Sequence, residues 1–477
     1  MSRVRTHPAR RSWIAALCLL GALPLASGGV PSDERPSFII VLADDLGWND
    51  VGWHGSEIRT PELDRLAASG VRLERFYVHA TCTPTRAALL TGRFAFRYGL
   101  QSAVVRPWEG HGLPAQERTL AEELRESGYR TAHVGKWHLG IGRPELLPMR
   151  RGFDHQYGPY LGSTNHWTHR VMGALDWHRD DRALVEQGYA TDLIAREAVR
   201  LIREHDARRP LFLLVAFTAP HTPLQAPGDD GSTYSNLEEP RRTYARMVTS
   251  LDRAVGAIDR ALGEQGLRER TLLFFASDNG ADESRGGSNA PLRGGKASLY
   301  EGGLRVPAFA AWPGRLPAGA LRDEPLHVVD LHATLLGLAG HPADAARGID
   351  GEDVWRHLSA GVPLGRQVLP LHVEPNRGAL LDGGWKLVLN GARPEEGEDA
   401  VPPDRRVLEL YRPSEDPAEA HDLASAEPER VTTLLERWKG LSALAPPALG
   451  TYLRDPPPGF EPPRVWGAGP NPVGSAR

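Results

Sequence analysis

The sequence predicts an α/β fold with a large, mostly parallel β-sheet sandwiched between helices. Short runs of aliphatic and β-branched residues are typical of strands buried on both faces of a sheet. Four such runs occur, at residues 37–43, 130–134, 211–217 and 272–276. Helical patterns lie between them, and this alternation of strand and helix favours a parallel sheet covered on both faces.

The helix predicted at residues 119–127 shows both of its ends in the sequence. Thr119 and Glu122 have the spacing of a capping box, in which each side chain bonds the backbone N–H of the other residue. Gly128 follows the last residue and suits the left-handed conformation that often ends a helix. The segment is therefore expected to be a short helix between the first two strands.

Polar residues follow every predicted strand at its carboxyl end, where α/β sheets collect their functional groups. These residues are Asp44, Asp45, Lys136, His138, His221, Asp278 and Asn279. The four with side-chain oxygens, Asp44, Asp45, Asp278 and Asn279, form a ligand set that suits a hard cation such as Ca²⁺ better than Zn²⁺. Lys136, His138 and His221, with Arg86 and Lys296, supply positive charge and hydrogen-bond donors for a tetrahedral anion.

The segment Cys82-Thr83-Pro84-Thr85-Arg86 is the most informative motif in the chain. Proline is favoured in the first turn of a helix, and a helix N-terminus is a natural anion site. The segment resembles the Cys-x-Pro-x-Arg signature of type I sulfatases, in which a maturation enzyme oxidises the cysteine to formylglycine. A buried free cysteine is the structural alternative for a lone cysteine.

Further segments extend this resemblance from residue 36 to about residue 335. They include Gly135-Lys136-Trp137-His138-Leu139-Gly140 and Pro291-Leu292-Arg293-Gly294-Gly295-Lys296. The chain is similar to sulfatases of the alkaline-phosphatase superfamily, and most of all to the arylsulfatase B-like, or N-acetylgalactosamine-4-sulfatase, branch. The resemblance implies an alkaline-phosphatase-like fold, and a metal held by Asp44, Asp45, Asp278, Asn279 and the modified Cys82. It also implies that Arg86, Lys136 and His138 orient the formylglycine hydrate, while His221 and Lys296 grip the sulfate and help the alcohol to leave.

The implied reaction is hydrolysis of a sulfate ester of a carbohydrate or an aryl alcohol. One hydroxyl of the hydrate attacks sulfur and forms a covalent sulfo-enzyme, and loss of the second hydroxyl proton then expels sulfate. A phosphonate monoester or phosphodiester hydrolase of the same superfamily is an alternative. A non-catalytic binder of sulfated glycans is another, if Cys82 remains unmodified.

The C-terminal part predicts a small second unit. Short strands at residues 368–373, 378–381, 385–389 and 407–411, followed by a helix at 429–439, predict an antiparallel sheet with one helix. We place a catalytic domain at residues 36–360 and this subdomain at 363–445. The Pro- and Gly-rich residues 446–477 are expected to form a loosely ordered tail.

The first 28 residues have the order of a signal peptide. Arg10 and Arg11 precede an apolar stretch at residues 13–25, and small residues follow it. The stretch is short for a membrane span, so we expect export to the periplasm or outside the cell, by the general secretory or the twin-arginine route. Cleavage would remove Cys18 and leave Cys82 as the only cysteine.

Charge excludes one class of partner. The net charge of the chain is −4, and of residues 29–477 it is −8, so nothing favours nucleic-acid binding.

Substrate specificity is predicted to reside in two loops. The first covers residues 163–169 and includes His166, Trp167 and His169; the second includes Glu374, Asn376 and Arg377. Histidine, asparagine and arginine can donate to sugar hydroxyls or a uronate, and Trp167 can stack on a sugar face. The structural alternative is that all of them are solvated loop residues.

Overall fold

The computed structural model describes residues 1–2, 35–228, 233–341, 348–391, 407–450 and 455–467. The predicted signal peptide therefore lies outside the described residues except for residues 1–2. The strands are β1 Ser37–Ala43, β2 Val71–Leu73, β3 Phe76–Tyr77, β4 Arg130–Gly135, β5 His155–Gly158, β6 Arg170–Val171, β7 Ala174–Leu175, β8 His178–Arg179, β9 Arg182–Ala183, β10 Leu211–Ala216, β11 Thr271–Ser277, β12 Ala308–Ala311, β13 Ala320–Arg322, β14 Leu326–His327, β15 Val368–Glu374, β16 Arg377–Asp382, β17 Trp385–Leu389 and β18 Leu408–Tyr411. The α-helices are α1 Pro61–Ala68, α2 Cys82–Thr91, α3 Leu120–Glu126, α4 Ala190–Arg203, α5 Arg241–Glu264, α6 Glu301–Leu304, α7 Asp330–Leu338, α8 Trp355–Ala360 and α9 Pro428–Ser442.

Ten strands form the main sheet in the order β13-β2-β12-β11-β1-β10-β4-β5-β8-β9. The central strands β11, β1, β10, β4 and β5 are parallel, whereas β12 and β8 pair antiparallel on either side of them. All seven residues of β1 are buried, as a strand covered on both faces requires. The predicted α/β fold with a large, mostly parallel sheet is confirmed.

Helices cover the two faces because alternate residues of each strand point to opposite sides. Phe38, Ile40 and Leu42 of β1 pack in the core shared with α2, α3 and α7. Ile39 and Val41 pack in the opposite core, formed with α1, α4 and α5. The helix predicted at 119–127 is α3, and its Thr119–Glu122 capping box is present.

The small subdomain is a four-stranded antiparallel sheet, β15-β16-β17-β18, packed against α9. Leu380 and Leu387 of this sheet share a core with Leu434 and Trp438 of α9. The predicted antiparallel sheet with one helix is confirmed, while the domain boundaries themselves stay predictions.

Part of the segment expected to be loosely ordered is packed instead. Trp466 is fully buried, its ring stacks near Phe460, and its indole N–H donates to the Val171 carbonyl at 3.0 Å. A buried tryptophan with a satisfied N–H stabilises a segment that its Pro and Gly content alone would leave mobile. Residues 451–454 and 468–477 of this segment lie outside the described residues.

No helix in the described ranges combines the length and the apolar character needed to cross a membrane.

Candidate active site

The carboxyl edge of the central strands brings a cluster of acids and one thiol together. Asp44 and Asp45 follow β1, Asp278 follows β11, and Cys82 begins α2. One ligand atom from each of these four residues lies within 4.8 Å of all the others, and all four residues are buried. Burial raises the pKa of Asp44, and Lys136 opposes that rise. A divalent cation among these carboxylates would relieve their mutual repulsion.

Asn279 provides a direct test of whether the cluster fits a cation. Its Nδ2 donates to Asp45 Oδ1 at 2.7 Å, so the amide oxygen points another way. That oxygen, Oδ1, is buried and has no hydrogen-bond partner. An unsatisfied buried amide oxygen is costly unless it meets a donor or a cation. With three carboxylates beside it, the donor set fits a hard cation such as Ca²⁺.

Cys82 is the first residue of α2, after Thr81 in extended conformation. Its Sγ lies 3.7 Å from Asp44 Oδ1. Burial, assisted by Asp278, raises the pKa of the thiol to about 12. Because the thiolate is the reactive form, an unmodified Cys82 is a poor nucleophile at neutral pH.

Three cations neutralise the three carboxylates one by one. Lys136 Nζ lies 2.8 and 2.9 Å from the two oxygens of Asp44. Arg86 donates twice to Asp278 Oδ2, at 2.7 and 3.0 Å, and once to the Lys136 carbonyl at 2.8 Å. Lys296 Nζ lies 2.7 and 2.8 Å from the two oxygens of Asp45. Positive charge therefore surrounds Cys82 on several sides.

His138 presents one ring nitrogen as an acceptor. Its Nε2 lies 3.2 Å from the Val105 carbonyl, which can only accept, so Nε2 carries the proton. Nδ1 is buried and has no hydrogen-bond partner. Burial, with the nearby charges of Lys136 and Arg86, holds the pKa of His138 well below its usual range. The backbone is left-handed at φ 60°, and a Cβ on Gly162 would lie 2.2 Å from the ring, so Gly162 leaves the imidazole its space.

His221 closes the cluster beside Asp45. Its Nδ1 donates to the Thr222 carbonyl at 2.6 Å, and its Nε2 lies 3.7 Å from Asp45 Oδ2. This arrangement turns Nε2 towards the acidic cluster.

These groups open onto a cavity of about 320 Å³. Of the six predicted catalytic residues, four line it: Cys82, His138, His221 and Lys296. Arg86 and Lys136 lie behind the wall and reach the site through Asp278 and Asp44. The structure thus brings the predicted catalytic and metal-binding side chains to one place.

Of the loop predicted at residues 163–169, Ser163 lines this cavity, whereas His166, Trp167 and His169 do not. His166 and His169 are buried, and their Nε2 atoms bond the carbonyls of His221 and Gly188, both at 3.1 Å. Trp167 is 44% exposed and packs against Tyr189. The loop folds back on its own scaffold because both imidazoles satisfy backbone carbonyls there.

The second predicted loop lies behind the site. Arg377 is buried, and its guanidinium donates to the carbonyl of Ala297, next to Lys296. The Asn376 carbonyl accepts from Asn390 Nδ2 at 2.6 Å, and Glu374 accepts from His372 at 2.8 Å. Asn376 and Arg377 contribute no cavity wall among the described residues.

Sequence reasoning missed several residues of the cavity wall. These include Ser102, Arg106, Thr222, Asp282 and Arg285. Their position in the sequence was the one indication that these residues lie near the site. Thr222 directly follows His221, and Asp282 and Arg285 follow Asn279 closely in the same strand-end loop.

The fold and site together define an α/β protein with a buried, oxygen-rich cluster that could hold a metal, a cysteine at a helix N-terminus, and lysine and arginine side chains around it. A family model described as Sulfatase matches residues 36–341. Arylsulfatase J of Mus musculus is 34% identical, with 88% of this chain and 78% of that protein covered. N-acetylgalactosamine-6-sulfatase of Canis lupus familiaris is 37% identical, with 72% of this chain and 70% of that protein covered.

Solved structures agree with these relatives. The crystal structure of Ps i-CgsB in complex with k-i-k-neocarrahexaose superposes with a TM-score of 0.78 at 31% identity, over 86% of this chain and 94% of that chain. PsFucS1 sulfatase from Pseudoalteromonas sp. gives 0.71 at 26% identity, over 87% and 92% of the two chains. The chain belongs to the sulfatase family and is a sulfuric ester hydrolase. The predicted family is thereby confirmed, and the arylsulfatase B-like branch stays a prediction.

Proposed function

We propose that this protein removes sulfate from sulfated glycans, with formylglycine at position 82 as nucleophile and Ca²⁺ as metal. The observation that carries the proposal is the position of Cys82, at the start of α2 and 3.7 Å from Asp44 Oδ1, in the middle of the acidic and cationic cluster. A thiol kept protonated at this centre has no evident use, whereas an aldehyde hydrate has two oxygens for a two-step reaction.

The roles of the surrounding side chains follow from their contacts. His138 Nδ1, as an acceptor, can take the proton of one hydroxyl on residue 82. Lys296 and His221 also line the cavity. Lys296 can hold sulfate oxygens and protonate the departing alcohol, and His221 can do the same only when its Nε2 carries a proton in addition to Nδ1. Arg86 and Lys136 hold Asp278 and Asp44 in place, so they orient the site from behind.

The metal ligands would be Asp44, Asp45, Asp278, Asn279 and modified Cys82. Bound Ca²⁺ would act as a Lewis acid that stabilises negative charge on oxygen. The unpartnered Asn279 Oδ1 and the three carboxylates support this ligand set. Exhaustive chelation should abolish turnover, and Ca²⁺ should restore it better than Zn²⁺.

Glycan substrates are supported by the relatives. One is named for N-acetylgalactosamine 6-sulfate, and one superposable structure holds neocarrahexaose. The cavity wall includes hydroxyl and guanidinium groups, from Ser102, Ser163 and Arg106, that can bond sugar hydroxyls. Initial rates on a panel of sulfated mono- and oligosaccharides would identify the substrate.

Intact mass of the peptide containing residue 82 tests the nucleophile, after expression with a formylglycine-generating enzyme as the maturation partner. An aldehyde at residue 82 together with turnover supports the proposal. A wholly thiol population that binds sulfated glycans without turnover would favour the binder. Faster turnover of phosphonate or phosphate esters than of sulfate esters would favour the alternative hydrolase.

Two variants test the chemistry of the nucleophile. Cys82→Ala should fold and lose turnover, because it removes the nucleophile and leaves only a small cavity. Cys82→Ser should be nearly inactive or trap a sulfated serine, since one hydroxyl can attack sulfur but cannot expel sulfate. Steady multiple turnover by Cys82→Ser would contradict the two-oxygen mechanism.

We also propose that the protein is exported after removal of residues 1–28. N-terminal sequencing of the mature protein tests the cleavage site, and an intact Met1 in exported protein would refute it.

A further inference from the structure

The catalytic cavity continues into a second hollow at its mouth. This hollow has a volume of about 520 Å³. It shares Ser163, Thr222 and Arg285 with the catalytic cavity. A groove that extends past the catalytic groups has room for more of the substrate than the group that carries the ester.

Arg285 lies where the two hollows join. Its side chain is exposed, and among the residues that the structure describes it makes no ion pair with a carboxylate. Most other arginines near the site are engaged: Arg86 bonds Asp278, and Arg241 bonds Asp50. The Arg285 guanidinium therefore keeps its planar set of donors available to a ligand.

The backbone that carries Arg285 is held rigidly. Asp282 caps its short turn by accepting from the Ser284 N–H at 3.2 Å. Arg241 donates to the carbonyl of the next residue, Gly286, at 2.9 Å. Asp50, which is fully buried, accepts from the Ser288 N–H at 3.0 Å. A side chain on a fixed turn loses less freedom on binding than one on a loose loop.

We propose that Arg285 binds an anionic group, carboxylate or second sulfate, on the sugar next to the one that carries the scissile sulfate. This rests on the proposed function, because Lys296 and His221 must first hold the scissile sulfate deeper in the cavity. The substrate class is then an acidic oligosaccharide rather than a lone sulfated sugar. A guanidinium recognises both anions through paired N–H donors.

Kinetics on matched substrates test the inference. The four substrates are 4-nitrophenyl sulfate, a sulfated hexosamine–uronate disaccharide, the same disaccharide with its carboxyl reduced to an alcohol, and a disulfated disaccharide without uronate. Arg285→Gln should lower kcat/KM about 10- to 100-fold on an anionic disaccharide, and by less than about twofold on the aryl sulfate and the reduced disaccharide. The anion that Arg285 binds is identified by which substrate, the uronate or the disulfated disaccharide, shows the larger fall in kcat/KM.

Arg182→Gln is the matched control, since Arg182 is an exposed arginine on β9 with no part in the cavity. Arg182→Gln should leave kcat/KM unchanged on all four substrates. If Arg285→Gln lowered kcat/KM equally on every substrate, or on none, the inference would be overturned. Turnover of the aryl sulfate would still uphold the proposed function. The wild type with fully converted residue 82 could instead release no sulfate from any substrate, which would refute the proposed function. If calorimetry then showed that the desulfated uronate disaccharide binds more weakly to Arg285→Gln than to the wild type, the anion site would still stand. Equal binding of that product to both proteins would remove the anion site as well.

Discussion

The two halves of the active site are built in different ways. The acidic half, Asp44, Asp45 and Asp278, lies at the ends of buried parallel strands, whose pairing fixes the side chains directly. Lys296 belongs instead to an irregular segment, residues 293–300, which we name the Lys296 loop. The loop has no strand of its own among the described residues, so its shape must come from its neighbours.

Some of those neighbours belong to the large domain. The Lys296 N–H donates to the Ala281 carbonyl at 3.0 Å, and the Ala297 N–H donates to the Ala80 carbonyl at 2.8 Å.

Further bonds of the loop reach the small C-terminal subdomain. The Leu299 N–H donates to the Gly391 carbonyl at 2.7 Å, and Tyr300 donates to Glu409 at 2.7 Å. Arg377 bonds the Ala297 carbonyl, one residue from Lys296. The small subdomain therefore supports the Lys296 loop from behind, and its Arg377 does not line the cavity.

A buried charge cluster fixes the end of the loop. Lys386 of β17 lies 2.9 Å from Glu301 and 2.8 Å from Glu419, and all three side chains are inaccessible to solvent or nearly so. Glu419 also accepts from the Glu301 backbone N–H at 2.6 Å. The acidic half is therefore part of the main sheet, whereas the Lys296 half is held between the large domain and a second sheet docked behind it.

The largest effect should follow from breaking the acidic half. Asp278→Ala leaves the buried guanidinium of Arg86 without its partner, so in Ca²⁺-containing buffer we expect a loss of about 3–5 kcal/mol in unfolding free energy. Turnover should fall by about a thousandfold or more, because metal and charge are lost together. Denaturant unfolding, bound Ca²⁺ and kcat measure these effects. The double variant Arg86→Met/Asp278→Leu should regain stability without activity; recovery of both would show that the pair is only structural.

Breaking the link between the two sheets should separate the halves. Lys386→Met leaves Glu301 and Glu419 buried without their cation, so we expect about 3–5 kcal/mol of destabilisation. In the folded protein kcat/KM should fall while bound Ca²⁺ stays near the wild-type level.

Lys439→Met is the control for this variant, because Lys439 is a half-exposed lysine that pairs only with Glu436 on the surface. It should change stability by less than about 0.5 kcal/mol. A parallel fall of Ca²⁺ content and activity in Lys386→Met would show that the halves are not independent.

A smaller effect should come from the single contact beside Lys296. Arg377→Met removes the donor to the Ala297 carbonyl, and we expect kcat/KM to fall about tenfold on aryl sulfate and sugar sulfate alike. Arg437→Met, on the surface of α9, should have no such effect. A much larger loss on the sugar than on the aryl ester would instead support the substrate contact predicted from the sequence.

The smallest effect concerns the scaffold outside both halves. Burial alone would lower the pKa of His155, but hydrogen bonds to Asp180 and Glu197 raise it above its ordinary value. Its stabilising contribution is therefore full below the unfolded-state pKa of about 6.5 and is lost as pH rises through the folded-state pKa. The difference in Tm between wild type and His155→Gln should shrink between about pH 6 and about pH 9.

His205→Gln serves as the comparison, because burial lowers the pKa of His205 and the pH trend should have the opposite sign. A gap in Tm for His155→Gln that does not change with pH would refute the ionic contribution.

The structure places two predicted substrate residues away from the cavity wall for a physical reason. His166 and His169 have the side chains of sugar ligands, yet each ring bonds a backbone carbonyl within the scaffold. The direction of a loop depends on which distant backbone groups need a partner, and residue type alone does not reveal it. Arg285 shows the converse, since it lines the cavity although only its position shortly after Asn279 pointed to it in the sequence.

The sequence by itself predicted four strands of the main sheet, β1, β4, β10 and β11, their alternation with helices, and the polar residues at their ends. This was possible because buried parallel strands are local apolar runs, and the end of a run marks the edge of the sheet. Only the tertiary structure decided how the Lys296 loop is held, because partners such as Ala80, Gly391 and Glu409 lie far from it along the chain. Contacts between irregular segments at that separation depend on how two sheets dock, and no local pattern of residues encodes the docking.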